Sequence, residues 1–402
     1  MNKKIGPLIA ALILIYLAQP YYFWHGFLAS KYVNLLMVAV LGGLFLLHAQ
    51  KQKGKKGTGW LFVMFVVSAV LFTIFGGHNL LYLIALLPIT VIPFSSDDFY
   101  QRVYKYFINF FVIMVGLSVV SYVLSLAGVV SAYSSIEPLN ELKQGYYLVY
   151  PFFVQYVPSL FSRFSGPFDE PGALGTYCGI LLCIQKLKLK DAKSIVLLVA
   201  GILSLSFFFY VLIGIYFVLY NIFERRSAFG SVAIIAAIIA AGVIITNNAF
   251  LNEVLGERFV FDTVEGRFSG DNRLTAESQE YYLESMVRSG EIWTGIENKA
   301  SFKEDTAGAY GFVTVLIQYG LIAMLWYVLF FLLYGYKFKT STWGFLLFVL
   351  VFFATIYQRP NIFHSVYVFL FVYVARSSME DVVSGELATG KKRLQKSIII
   401  QH

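Results

Sequence analysis

The chain has 402 residues, of which 58% are hydrophobic and 13% charged, with a mean hydropathy of +0.70 and a net charge of +8. A soluble domain is about one-quarter charged, so this composition excludes an ordinary water-soluble fold. The positive charge does not point to nucleic acid either, because the lysines cluster in short loops between apolar runs, as in the cytoplasmic loops of membrane proteins.

In chain order, Met1-Asn-Lys-Lys4 looks like the start of a signal peptide, but no small-residue cleavage site follows, so the first apolar run reads as an uncleaved helix. Twelve apolar spans are predicted, at about 5–24, 33–48, 60–75, 79–94, 106–130, 172–185, 194–206, 207–222, 229–246, 309–334, 343–357 and 361–376. Spans seven and eight are separated only by Ser204-Leu-Ser206. Loop charge decides for two helices rather than one. With twelve spans the basic loops Lys3/Lys4, Lys51–Lys56, Arg102/Lys105, Lys186–Lys193, Arg225/Arg226, Lys337/Lys339 and the tail at Lys391-Lys-Arg393 share one side. Fusing the two spans would put Arg225/Arg226 on the other. Both termini are then cytoplasmic, and the outer loops are net acidic. The predicted fold is a single all-α polytopic membrane domain over 1–402.

Two outer loops are long, 131–171 and 247–308, and loops beyond about 12–15 residues are often functional. In the second, the apolar and aromatic positions 276, 282, 283, 286 and 287 fall close to helical spacing, which predicts an amphipathic helix over 275–288 lying on the bundle. The first ends in Arg163-Phe-Ser-Gly-Pro-Phe-Asp-Glu-Pro-Gly172, three charges in a turn-rich segment that runs into a membrane helix. Arg163 offers a planar fork of donors suited to phosphate or carboxylate. Pro171 suits a helix start, and free N–H groups there favour an anion. Asp169 and Glu170 add acids, and an acidic helix cap paired with the arginine accounts for the spacing equally well.

Arg267-Phe-Ser-Gly-Asp-Asn-Arg273 repeats the Arg-Phe-Ser-Gly wording in the larger loop, and Arg267, Arg273 and Arg288 form a second cationic group. A third candidate is Gln358-Arg359-Pro-Asn361 with His364, at the turn between the last two spans. An ionisable group at that depth is a functional candidate, although a packing histidine is as good an account of His364. Cys178 and Cys183 share one span and form no metal or disulfide pattern. No His or Cys cluster has metal spacing, and no phosphate-binding glycine loop is present. Tyr146-Tyr147, Tyr150 and Phe152-Phe153 suit sugar stacking or, better, an interfacial aromatic belt.

At this point the residues carry a family resemblance. Arg163 through Gly175 resembles the R-x-x-G-x-F-x-(D/E)-P segment that precedes a membrane helix in the O-antigen ligase and Wzy-type polysaccharide polymerase superfamily. Asp271-Asn-Arg273, with Trp293-Thr-Gly-Ile296 about twenty residues on, resembles that family's arginine–helix–glycine pattern. Tyr310-Gly-Phe and Tyr319-Gly-Leu-Ile322 resemble the helix that follows. The ligase branch carries a histidine near the end of the large loop. Phe302-Lys-Glu-Asp-Thr-Ala-Gly-Ala-Tyr310 has none, which favours the polymerase branch.

The resemblance implies a bundle like that of GT-C glycosyltransferases, located in the bacterial inner membrane. It implies an undecaprenyl-diphosphate-linked oligosaccharide as donor, no metal or other cofactor, and a flippase and chain-length regulator as partners. As the sugar C1–O bond to the diphosphate breaks, negative charge grows on the leaving group, and fixed cations stabilise it. Arg163 and Arg273 are the first choices for that role and Arg359 the third, with Arg267, Arg288 and His364 binding substrate. The attacking hydroxyl needs a base, for which Asp169 and Glu170 are the nearest candidates and His364 a further one. The alternatives are a ligase that moves the glycan to a lipid core or protein, and a transporter or flippase. A transporter is disfavoured because the spans carry almost no ionisable groups at mid-depth.

Overall fold

The computed structural model describes residues 4–23, 25–49, 59–78, 80–138, 145–157, 163–188, 190–225, 261–262, 267–268, 276–297, 312–339, 341–359 and 363–377. Among these residues the protein is mostly helical. The helices are α1 Ile5–Leu17, α2 Lys31–Leu47, α3 Gly59–Phe75, α4 Leu80–Val91, α5 Asp97–Leu126, α6 Pro171–Ile184, α7 Ala192–Leu203, α8 Phe207–Tyr220, α9 Ala276–Ser289, α10 Phe312–Phe338, α11 Thr342–Gln358 and α12 Ser365–Ser377. A helix occupies each predicted span except the ninth, 229–246, which lies outside the described residues. The amphipathic helix is α9.

Two helices, α5 with 30 residues and α10 with 27, are long and apolar enough to cross a membrane. The others are shorter, for visible reasons. The first was expected to reach residue 24 but stops at Leu17, because Gln19 takes a φ of 57° just before Pro20. Around Pro93, α4 gives way to a 3-10 turn over Ile92–Phe94. Spans seven and eight are two helices, as loop charge required, and Leu205 makes the break at a φ of 48°.

The all-α expectation needs correcting. The first long loop contains a three-stranded antiparallel sheet, β1 Ser134–Ile136, β2 Tyr146–Tyr150 and β3 Phe153–Val157, and β4 Phe261–Asp262 pairs with β5 Arg267–Phe268. Runs such as Tyr-Tyr-Leu-Val-Tyr are the aromatic and β-branched composition that suits a pleated, half-buried surface. Tyr147 and Phe153, read from the sequence as interfacial or sugar-stacking residues, are each only 1% exposed and belong to the interior.

Helices α6 and α12 form the centre. Every residue of Leu174–Cys183 and of Ser365–Arg376 is buried, as expected of helices that are apolar all round. By contrast, α1–α5, α7, α8, α10 and α11 each expose large apolar side chains, among them Leu36, Val63, Val120, Ile202 and Leu325.

The two ends of the bundle differ. At the end where α12 finishes, Arg376 is 4% exposed and fully engaged. Its Nε donates to the Tyr334 hydroxyl at 2.7 Å, and Nη1 to the Ser95 carbonyl at 2.8 Å and to Asp97 at 2.9 Å, while Nη2 donates to the Pro93 carbonyl. One guanidinium thereby ties α12 to α10 and to the α4–α5 connection. At the opposite end lie the heads of α6 and α12.

Candidate functional site

The segment from Arg163 to Gly172 is a buried wedge rather than a surface loop. Gly166, at a φ of 56°, starts a tight turn closed by the Phe168 N–H donating to the Ser165 carbonyl at 3.1 Å. The turn is tied down on several sides. The Val154 N–H donates to the Gly166 carbonyl, the Tyr22 N–H to the Pro167 carbonyl, and the Ser165 hydroxyl to the Val154 carbonyl. Phe164 and Phe168, each 1% exposed, enter the core, where they meet Tyr122 and Tyr177. The aromatic residues therefore anchor the segment and leave its charged residues half-buried at the head of α6.

Arg163 donates from Nε to the Ser204 carbonyl at 3.4 Å and from Nη2 to the Leu205 carbonyl at 3.2 Å. Carbonyls at the end of a helix lack intrahelical partners, and a cation is favoured there. Arg163 thus caps α7 and fixes the α7–α8 break. The break sits directly on α6, because a methyl on Gly175 would lie 2.4 Å from the Ser206 Cβ. Sequence reasoning missed this capping role, since the carbonyls lie about forty residues further along the chain.

Arg359 follows α11 and reaches the head of α6. Its Nη1 donates to Glu170 Oε2 at 3.2 Å, and its Nη2 would be 3.1 Å from a methyl on Gly172. Gly172 thus admits a guanidinium laid against the first turn of the helix. Glu170 holds the N-cap position of α6, but its side chain makes no capping hydrogen bond and instead pairs with Arg359. The Arg359 side chain is 23% exposed, and its Nε is buried without a hydrogen-bond partner among the described residues. Burial opposes its charge, but Tyr367, Glu170 and Asp169 outweigh that and raise its pKa above the ordinary arginine value.

Below this group Tyr177 of α6 stacks on Tyr367 of α12, with ring centroids 5.4 Å apart, so the two central helices begin at the same end. His364 precedes α12. Its ring donates to the Leu17 carbonyl, and its Nδ1 is buried without a partner among the described residues. The His364 ring is 5.1 Å from that of Tyr367. The Asp169 carbonyl accepts from the Tyr147 hydroxyl at 3.2 Å. Asp169, Glu170, Arg359 and His364 therefore border the heads of α6 and α12, while Arg163 is turned to the α7–α8 break.

Arg288 lies on α9 with its side chain 80% exposed, in a surface pair with Glu284 at 3.0 Å. Arg267 pairs with Asp262 in the backbone register of β4 and β5. Arg273 is outside the described residues.

The two glycine stretches singled out in the sequence do meet. Gly320 interrupts α10 at φ 75° and ψ 169°, and the Ile296 N–H donates to the Ile317 carbonyl at 2.9 Å. A methyl on Gly320 would lie 2.5 Å from backbone atoms of residues 293–295, and one on Gly295 would lie 2.5 Å from the Gln318 carbonyl. Met286 of α9 packs with Ile296 and Ile317 beside this contact. Gly320→Ala is therefore expected to separate α9 and residues 290–296 from α10 at a cost of about 1–3 kcal/mol. New proteolytic cleavage within 290–296 of the otherwise folded protein would report it.

No family model, curated protein or solved structure matches the chain. The functional reading therefore rests on the residues themselves.

Proposed function

We propose that the chain is a polytopic membrane glycosyltransferase of the O-antigen ligase and Wzy-type polymerase superfamily. In this reading it joins undecaprenyl-diphosphate-linked repeat units at the outer face of the bacterial inner membrane. The exposed apolar side chains on nine helices support a lipid setting, because soluble monomers rarely expose contiguous apolar surface on that scale. The basic loops then face the cytoplasm, and the heads of α6 and α12 face outward.

One observation carries the chemical reading. The Arg359 guanidinium lies against the first turn of α6 and within electrostatic reach of Tyr367 in the first turn of α12, and its Nε has no hydrogen-bond partner among the described residues. Two helix N-termini and a charged fork suit a diphosphate. As the C1–O bond breaks, the electron pair passes to the diphosphate, where these groups meet the growing charge. The acceptor hydroxyl attacks C1 and gives its proton to a base. Asp169, Glu170 and the neutral His364 Nδ1 are the groups near enough to serve.

Product analysis tests this. Protein reconstituted in vesicles with a polyprenyl-diphosphate-linked repeat unit should release prenyl diphosphate and yield a ladder of multiples of that unit. Transfer to added lipid-core acceptor with no ladder would instead favour the ligase. An unaltered substrate pool, with no net movement between leaflets, would contradict both enzymatic readings.

A further inference from the structure

The β2–β3 hairpin joins residues 146–150 to 153–157 through the two-residue turn Pro151-Phe152. Phe152 takes a φ of 67°, where a bulky side chain is a genuine outlier. Such strain persists only when the surroundings over-determine it. Yet the Phe152 ring is not packed away, since it remains 46% exposed, with Tyr22 6.3 Å to one side. The whole stretch 145–157 carries no charged residue.

The tip is held at a defined height. The Ser118 hydroxyl of α5 donates to the Phe152 carbonyl. Ser118 lies eight residues before the end of α5, about 12 Å at 1.5 Å per residue. At that level α5 turns large apolar side chains outward both above and below: Leu117 is 43% exposed, Val120 58% and Val123 54%. The polar backbone of the tip is also largely satisfied. Pro151 has no N–H, Tyr150 and Phe153 pair across the turn, and the Phe152 carbonyl is bonded to Ser118. Backbone beside lipid must be satisfied in this way.

We propose that the β2–β3 hairpin is a re-entrant anchor whose tip, Pro151-Phe152, dips into the outer leaflet of the bilayer alongside the apolar face of α5. The partner is membrane lipid at the boundary of headgroups and acyl chains, where aromatic rings are favoured. β3 is bonded directly to the wedge at the head of α6, through Val154 to Gly166 and Ser165. The anchor therefore sets the depth of Arg163 and Glu170 against the surface from which a lipid-linked diphosphate would approach. The inference rests on the membrane setting proposed above.

The test uses the two native cysteines, both fully buried at 0% exposure, so that a nitroxide reaches only an introduced thiol. Phe152→Cys, Leu117→Cys and Tyr281→Cys are prepared separately in the full chain, labelled and reconstituted in phosphatidylcholine–phosphatidylglycerol vesicles. Collision rates with oxygen and with a water-soluble nickel chelate are then compared. Residue 152 should match residue 117, favouring oxygen several-fold over the chelate, while residue 281 on α9 shows the reverse. Chelate access at 152 equal to that at 281, with 117 still protected, overturns the anchor alone and leaves the tip facing water or glycan. Chelate access at 117 as well overturns the membrane reading, and the anchor with it. If the labelled variant does not fold, Phe152→Trp read by quenching from acyl-brominated lipid decides the same question. Added quenching relative to the native chain supports the anchor, and its absence contradicts it.

Discussion

Replacing Arg359 by glutamine is expected to lower glycosyl transfer by about 100- to 1,000-fold, the usual cost of losing one preorganised donor to a developing oxyanion. The substitution leaves a shorter, neutral amide, keeping some polarity while removing the charge and the fork. The Arg359 Nη2 lies 3.1 Å from where a methyl on Gly172 would sit, and the shorter glutamine adds no atom against the helix. Arg359→Lys should recover little, because a point charge on a flexible stem does not reproduce two parallel donors. In cells the expected result is full-length protein in the membrane, single repeat units accumulating on the lipid carrier, and loss of long polysaccharide. Normal chain lengths from Arg359→Gln would remove this residue from the reaction and reduce its role to pairing with Glu170.

The largest loss of stability should follow Arg376→Ala at the opposite end. This buried side chain meets two carbonyls and a tyrosine hydroxyl in the interior and Asp97 at its edge. Its removal leaves buried acceptors unmet at about 1–3 kcal/mol each. Three elements, α10, α12 and the α4–α5 connection, lose their common tie. Asp97→Asn should cost about 1 kcal/mol or less, because the Asp97 side chain is 60% exposed and an exposed pair is worth little. Thermal unfolding in detergent should separate the two variants clearly. Equal, small shifts would show that Arg376 is not the clamp its contacts describe.

Much of the helical plan was legible because apolar run length is a local property. The break between α7 and α8 was legible through charge, since fusing those spans would have parted Arg225/Arg226 from the other basic loops. Helix ends were less so. The stop at Leu17 depends on Gln19 adopting a left-handed conformation, which neighbouring residues do not announce. The β2–β3 sheet was missed because Tyr and Phe suit strands and membrane interfaces alike, and the membrane reading claimed them first. Arg376 was passed over for a related reason, since an arginine in the last turn of a final span reads as a flanking charge. The Arg163–Gly172 segment stood out through its turn residues and charges. Its actual partners, the carbonyls of Ser204 and Leu205 for Arg163 and the Arg359 side chain for Glu170, are tertiary facts that spacing does not carry. For Gly172 the sequence suggested a turn, whereas the structure shows a close approach by a side chain from another helix.

Equilibrium binding of a radiolabelled short-chain prenyl diphosphate to the reconstituted protein probes the proposed cradle itself. Saturable binding is expected at one site per chain, weakening as salt is raised, competing with inorganic diphosphate, and falling at least tenfold (about 1.4 kcal/mol) in Arg359→Gln with no change in unfolding temperature. Absence of saturable binding in the native chain, or an affinity unchanged by Arg359→Gln, would contradict a diphosphate cradle at the heads of α6 and α12.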